Sequence, residues 1–200
     1  SLILMYVQEG KLNIDDQVNK YISIFPYKDI TIRHLLNHTH GMIEYFDWIY
    51  DTLKIKDTIG NDQLLTLLSK YKPALTSVPG EKFNYSNSGY FLLGYIIEKV
   101  TGKTYEQYLQ ETIFTPLKMV NSGYDHSDVI LKNRAAGYEK QGKNFTNASY
   151  LDMSIPYAAG SLYSTVEDLY LWDQALYTNK LLSEKSMESL FKPYIKAGGA

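Results

Sequence analysis

Apolar residues in this chain recur mostly at helical spacing. The clearest run is Leu92, Leu93, Ile96, Ile97 and Val100, at i, i+1, i+4, i+5 and i+8, which gives one broad apolar face. It predicts a central core helix over residues 88–100 that closes at Gly102, the left-handed position after a last helical turn. Leu64, Leu65, Leu67 and Leu68 predict a second buried helix over 62–71, capped by Asn61 and stopped before Pro73. Ser1 to Gly10 reads as a helix that closes on Gly10 but has no start signal, so the chain is expected to begin inside a helix of a longer protein. Asp15 is the expected cap of a short helix turning Val18, Tyr21 and Ile22 inward until Pro26. Thr31 opens another, with Ile32, Leu35 and Leu36 on its apolar face.

Two capping boxes, Thr104 with Gln107 and Ser164 with Glu167, start two further helices. The second of these carries Leu169, Trp172 and Leu176, and Ser183 caps a last helix with Met187, Leu190 and Phe191. Only residues 134–150, around the Gln141-Gly142 turn, read as a β-hairpin. The expectation is therefore a mainly α fold, seven or so helices around residues 88–100 with one small hairpin. No repeat or linker divides the 200 residues, which fit one domain.

Composition removes whole classes of function. The formal net charge is −2, and Arg33 and Arg134 are the only arginines, so the basic stripe of a nucleic-acid binder is missing. With no cysteine, disulfides, thiolate metal sites and cysteine nucleophiles are excluded. The longest apolar run, Leu2 to Val7, is six residues, far short of the roughly 18 needed to span a bilayer.

One place has the makings of a site. Tyr85-Ser86-Asn87 lies between the Pro79-Gly80 turn and the start of the core helix, where backbone N–H groups lack helical partners and a side chain can reach a cleft. A tyrosine serves as a base only where cations pull its phenol down from a pKa near 10. An asparagine offers a donor and an acceptor to an amide. In a chain with 19 tyrosines, a Y-x-N tripeptide also arises by chance, with Tyr85 a turn aromatic and Asn87 a plain helix cap.

The surroundings decide between these readings. Three separated stretches, Thr31-Ile-Arg-His-Leu-Leu-Asn-His-Thr-His-Gly41, Pro79-Gly-Glu-Lys-Phe-Asn-Tyr-Ser-Asn-Ser-Gly89 with the helix that follows to Tyr105, and Ala159-Gly-Ser-Leu-Tyr-Ser-Thr-Val-Glu-Asp-Leu169, closely resemble the class C β-lactamase and penicillin-binding-protein superfamily. The likeness begins near Glu9-Gly-Lys-Leu12 and continues to about Leu182. It implies an acyl-enzyme mechanism, in which the serine of an S-x-x-K motif attacks a carbonyl. By that resemblance Tyr85 is the catalytic tyrosine, sharing proton transfer with the motif lysine, and Asn87 binds the substrate amide. The resemblance also implies that this chain is the helical subdomain of a β-lactamase/transpeptidase-like fold, the whole being α/β with an antiparallel sheet.

The nucleophile is missing from this pattern. S-x-x-K is expected upstream of Ser1, and the two chance matches, Ser69-Lys-Tyr-Lys72 and Ser189-Leu-Phe-Lys192, stand in the wrong order relative to the other signatures. The closing K-x-G motif is also absent, since Lys196-Ala-Gly198 falls too early. The 200 residues alone are therefore expected to be inactive. The parent is expected to be a serine hydrolase of β-lactamase, D-alanyl-D-alanine peptidase or esterase type, extracytoplasmic, taking a β-lactam, D-alanyl peptide or ester. The alternative is a catalytically dead relative that binds peptide or cell-wall ligands.

No cofactor is implied. Thr101-Gly-Lys-Thr104 lacks the upstream glycine of a phosphate loop, since Ile97 stands there. His34, His38 and His40 cluster in sequence, but without the H-E-x-x-H pattern, so no metal is expected.

Overall fold

The computed structural model describes residues 1–55 and 59–195. Helices dominate them. In chain order these are α1 (Leu2–Gln8), a 3₁₀ turn (Val18–Lys20), α2 (Ile32–Leu36), α3 (Tyr45–Asp47) running into a π-helical turn (Trp48–Thr52), and α4 (Asn61–Tyr71). The central helix α5 (Asn87–Thr101) follows, then α6 (Tyr105–Leu109), which continues through a π-helical turn (Gln110–Phe114) into α7 (Thr115–Leu117). The last third holds β1 (Gly123–Tyr124), β2 (Tyr138–Gln141), β3 (Asn144–Asn147), a 3₁₀ turn (Tyr157–Ala159), β4 (Leu162–Tyr163), α8 (Val166–Leu176) and α9 (Glu184–Phe191).

Helix α5 is the centre of the core, as its apolar spacing predicts. Phe91 to Ile97 are buried without a break, so this stretch is covered on every side. Ser86, not Asn87, caps it, its Oγ accepting the Ser88 N–H at 3.2 Å, and Gly102 ends it at φ +69°. The 3₁₀ turn at 157–159 packs so closely on α5 that a Cβ at Gly94 would meet the Ala158 Cβ at 2.2 Å. α1, α2 and α6 cover other faces of the same helix, and the buried apolar side chains form one continuous cluster.

Local rules placed several helix starts correctly. Thr31 accepts the His34 N–H, and His34 returns a bond to the Thr31 N–H, a capping box with an imidazole in the usual carboxylate position. Thr104 with Gln107, and Ser183, also cap as expected.

Other starts differ. Asp15 caps nothing; its carboxylate takes two bonds from Arg33, at 2.6 and 2.9 Å, and the expected helix shrinks to the 3₁₀ turn at Val18–Lys20. The guanidinium fork outcompetes an isolated backbone N–H. α4 begins one residue early, with Asn61 inside the helix and the Gly60 N–H bonded to the Gln63 side chain at 3.0 Å. α8 is capped by Thr165, because the Ser164 hydroxyl is 2.7 Å from that of Ser122.

Among the described residues there are two two-stranded antiparallel sheets. The hairpin expected within 134–150 is β2–β3, paired from Tyr138↔Asn147 to Gln141↔Asn144 around Gly142 at φ +63°. The pairing of β1 with β4, Gly123 opposite Tyr163, has no precedent in the sequence pattern, since two-residue strands carry no alternation.

A side chain of α1 fastens it to the last part of the chain. Gln8 donates from Nε2 to the Leu181 carbonyl at 3.2 Å and accepts the Ser183 N–H on Oε1 at 2.9 Å.

The apolar side of α8 is largely open, with Leu169 52% exposed and Trp172 only half-buried. Both side, with Leu2, Leu93, Ile97 and Phe114, an apolar groove of about 540 Å³. Among the described residues no helix is long and apolar enough to cross a membrane. Lys196-Ala-Gly198 lies outside the described residues.

Candidate active site

Tyr85 stands just before α5, 62% exposed, with its hydroxyl 3.2 Å from the Asn87 side-chain oxygen, to which it donates. The two residues singled out by the sequence therefore face each other at the amino end of the core helix. The serine between them points the other way and is buried, which anchors the tripeptide while leaving Tyr85 open to solvent.

A second segment holds this tripeptide in place. Ile43 accepts on its carbonyl from the Ser88 hydroxyl at 2.7 Å and from that of Ser86 at 3.4 Å, and the Tyr45 N–H donates to Ser88 Oγ at 3.0 Å. Glu44 Oε2 accepts the Asn87 N–H at 2.7 Å, placing a carboxylate at the positive end of α5. Glu44 gave no signal in the sequence, because its partner lies 43 residues further on.

The loop between α2 and Glu44 supports Tyr85 from below. The His38 ring lies between those of Tyr85 and Tyr90, with centroids at 4.6 and 5.0 Å and angles of 30° and 18°, and Phe83 meets it edge-on. His38 Nδ1 sits 3.3 Å from the Ser86 N–H, which donates to the neutral ring, and 3.2 Å from the Ser86 carbonyl. Burial holds the His38 pKa below its ordinary value, against a weaker opposing effect of the Ser86 carbonyl, so the ring is neutral at pH 7. Backbone bonds from Asn84 to the His38 carbonyl and from Gly80 to that of Thr39, both 2.8 Å, fasten the loop to the Pro79–Asn84 stretch. Gly41 allows the same approach, since its φ is +69° and a Cβ there would lie 2.3 Å from the Ser77 carbonyl oxygen.

The three clustered histidines thus have separate tasks. His34 completes the α2 capping box, His38 is the stacked support, and His40 is fully buried with Nδ1 accepting the Met42 N–H at 3.0 Å. Among the described residues no group of three or more His, Asp or Glu side chains is arranged to hold a metal ion.

The chance S-x-x-K matches differ in position. Ser69 and Lys72 are both exposed at the end of α4. Ser189 and Lys192 line a cavity of about 280 Å³ together with His38, Phe83 and Tyr90, so that pair lies beside the stack that carries Tyr85. Among the described residues no lysine ammonium is hydrogen-bonded to Tyr85.

In sequence and in fold the chain is similar to known proteins. The family model described as Beta-lactamase matches residues 1–195, and the chain belongs to that family. It is 32% identical to penicillin-binding protein 4* of Bacillus subtilis (strain 168), over 96% of this chain and 45% of that protein. Its fold matches the crystal structure of a penicillin-binding protein from Bacillus halodurans with a TM-score of 0.82 and 28% identity, covering 99% of this chain and 63% of that one. A D-stereospecific amidohydrolase from Streptomyces sp. matches with a TM-score of 0.79 and 27% identity, over 94% of this chain and 60% of that one. The chain spans about half the length of the curated relatives it matches.

Proposed function

We propose that this chain is the helical part of a serine acyl-transfer hydrolase, in which Tyr85 transfers protons and Asn87 binds the substrate amide. The observation that carries the reading is the 3.2 Å contact between the Tyr85 hydroxyl and Asn87 Oδ1 at the mouth of α5, buttressed by His38 and Glu44. A solvent-open phenol held by aromatic stacking and a backbone-locked amide suit proton transfer and amide recognition.

In the reaction this implies, a serine Oγ forms a bond to the substrate carbonyl carbon and gives its proton to the tyrosine–lysine pair. The C–N or C–O bond then breaks as the proton passes to the leaving group, and water later hydrolyses the acyl-serine. The S-x-x-K serine and lysine are not among these 200 residues in the position the family pattern requires. The substrates that fit are β-lactams, D-alanyl peptides and small esters or amides, a range supported by relatives named as penicillin-binding proteins and a D-stereospecific amidohydrolase. On this reading the parent protein acts outside the cytoplasm.

The test uses a longer polypeptide that includes an S-x-x-K segment, treated with labelled penicillin. Acylation is expected there, slowed 10²–10⁴-fold by Tyr85→Phe, a typical loss for a proton-transfer group. The 200 residues alone are expected to gain no adduct by intact mass. Unchanged acylation in Tyr85→Phe, or a stoichiometric adduct mapped to Ser69 or Ser189 in the chain alone, overturns the assignment. The alternative reading is a catalytically dead relative that binds peptide or cell-wall ligands. Its signature is reversible ligand binding by the longer polypeptide without any covalent mass.

A further inference from the structure

The carboxyl-terminal part of α5 borders a cavity that the acyl-transfer reading does not use. It measures about 370 Å³, and Glu98, Tyr105, Glu106, Tyr124, His126 and Tyr157 line it. Glu98 is eleven residues beyond Asn87 on the same helix, or about 16 Å along its axis. The space is thus distinct from the Tyr85 end.

Three features define its chemistry. The rings of Tyr105, Tyr124 and Tyr157 form a triangle with centroids 5.5, 6.4 and 6.5 Å apart and interplanar angles of 56°, 80° and 62°. A ring face is the negative side of the aromatic quadrupole and attracts a cation that lies over it. The carboxylate of Glu98, half-buried, uses Oε1 to accept the Tyr105 N–H at 2.8 Å, and among the described residues no lysine or arginine pairs with it. Glu106 adds a second carboxylate, 2.9 Å from His126 Nε2.

The third feature is the Tyr157 hydroxyl. The residue is only 6% exposed, and its buried hydroxyl lies next to the Glu98 carboxylate. Its backbone sits at φ +46°, a conformation that is costly for an aromatic residue. Burial, and then Glu98, push its phenol far above the ordinary range, while burial lifts Tyr105 to about 12. All three rings are therefore neutral phenols at working pH. An anion has little to gain here, because the helix starts at the rim are already capped: Gln63 accepts the Gly60 N–H at 3.0 Å, Gln107 the Thr104 N–H at 3.2 Å, and Glu98 the Tyr105 N–H.

We propose that this cavity binds a small organic ammonium, with Glu98 as counter-charge and the three tyrosine rings as its apolar, π-rich wall.

The experiment titrates the 200-residue chain, with ¹³C-labelled tyrosine, with tetramethylammonium and ethylammonium chloride while ring signals are followed by NMR. Parallel titrations use sodium chloride and tert-butanol, a neutral molecule of similar shape to tetramethylammonium. Saturable shifts of Tyr105, Tyr124 and Tyr157 are expected with both ammonium salts, with a Kd on the order of 1–10 mM, and with neither control. Glu98→Gln keeps the oxygen that caps Tyr105 but removes the charge, and it should weaken binding at least tenfold. Shifts that do not saturate, that tert-butanol reproduces, or that persist undiminished in a folded Glu98→Gln variant overturn the proposal. If Glu98→Gln does not fold, the comparison with sodium chloride and tert-butanol on the unaltered chain decides it.

Discussion

At the scale of single residues, the most consequential side chain outside the two sites is His40. It is fully buried, with Nδ1 bonded to the Met42 N–H and Nε2 without a partner among the described residues. Burial, helped by His38 and His34, lowers its pKa from 6.5 to about 4. The unfolded chain therefore takes up a proton between pH 6.5 and 4 that the folded chain refuses, and stability falls as pH falls through that window. Between pH 7 and pH 4.5 the loss from His40 alone should be about 2.5 kcal/mol. Burial lowers His34 and His38 as well, so they act in the same direction. Urea unfolding at the two pH values measures the effect. A His40→Asn variant should show a shallower dependence even if it is less stable at neutral pH, whereas an unchanged slope would mean that His40 is not what the acid titrates.

At the scale of elements, the tightest fit is between α5 and the 3₁₀ turn that carries Tyr157. Gly94 has no space for a side chain: a Cβ would meet Ala158 at 2.2 Å and the Tyr157 ring at 2.8 Å. Gly94→Ala, usually favourable inside a helix, should here cost about 2–3 kcal/mol, since two backbones must part to admit one methyl group. Thermal unfolding reads this directly, and a stabilised variant would contradict the packing. The same helix shows what the sequence revealed. Its apolar spacing, its Gly102 stop and the caps at Thr31, Thr104 and Ser183 follow local rules and were legible. Asp15 was misplaced because Arg33, 18 residues on, claims its carboxylate, and the cap of α8 moved to Thr165 because Ser122, 42 residues back, engages Ser164. In the candidate site Tyr85 and Asn87 were legible from their motif, while Glu44 and the stacking role of His38 were not. Those depend on contacts between segments more than 40 residues apart, which no local pattern encodes.

At the scale of the whole molecule, an apolar groove of about 540 Å³ opens beside α8. Leu162, Val166 and Leu169 are exposed along it or next to it. The 200-residue chain should bind the dye ANS in its native state, and Leu169→Lys should reduce both the dye signal and light scattering without lowering the melting temperature. An unaltered dye signal would show that the groove is closed in solution. The Gln8 clasp has a different kind of consequence, one of timing. Its partners Leu181 and Ser183 lie 173 and 175 residues further along the chain. A ribosome adding roughly 5–20 residues per second needs on the order of 10–35 s to deliver them. Throughout that interval α1, among the first segments of this chain to emerge, has yet to receive its clasp, and a nascent chain halted before residue 181 would leave it open to a chaperone or a protease.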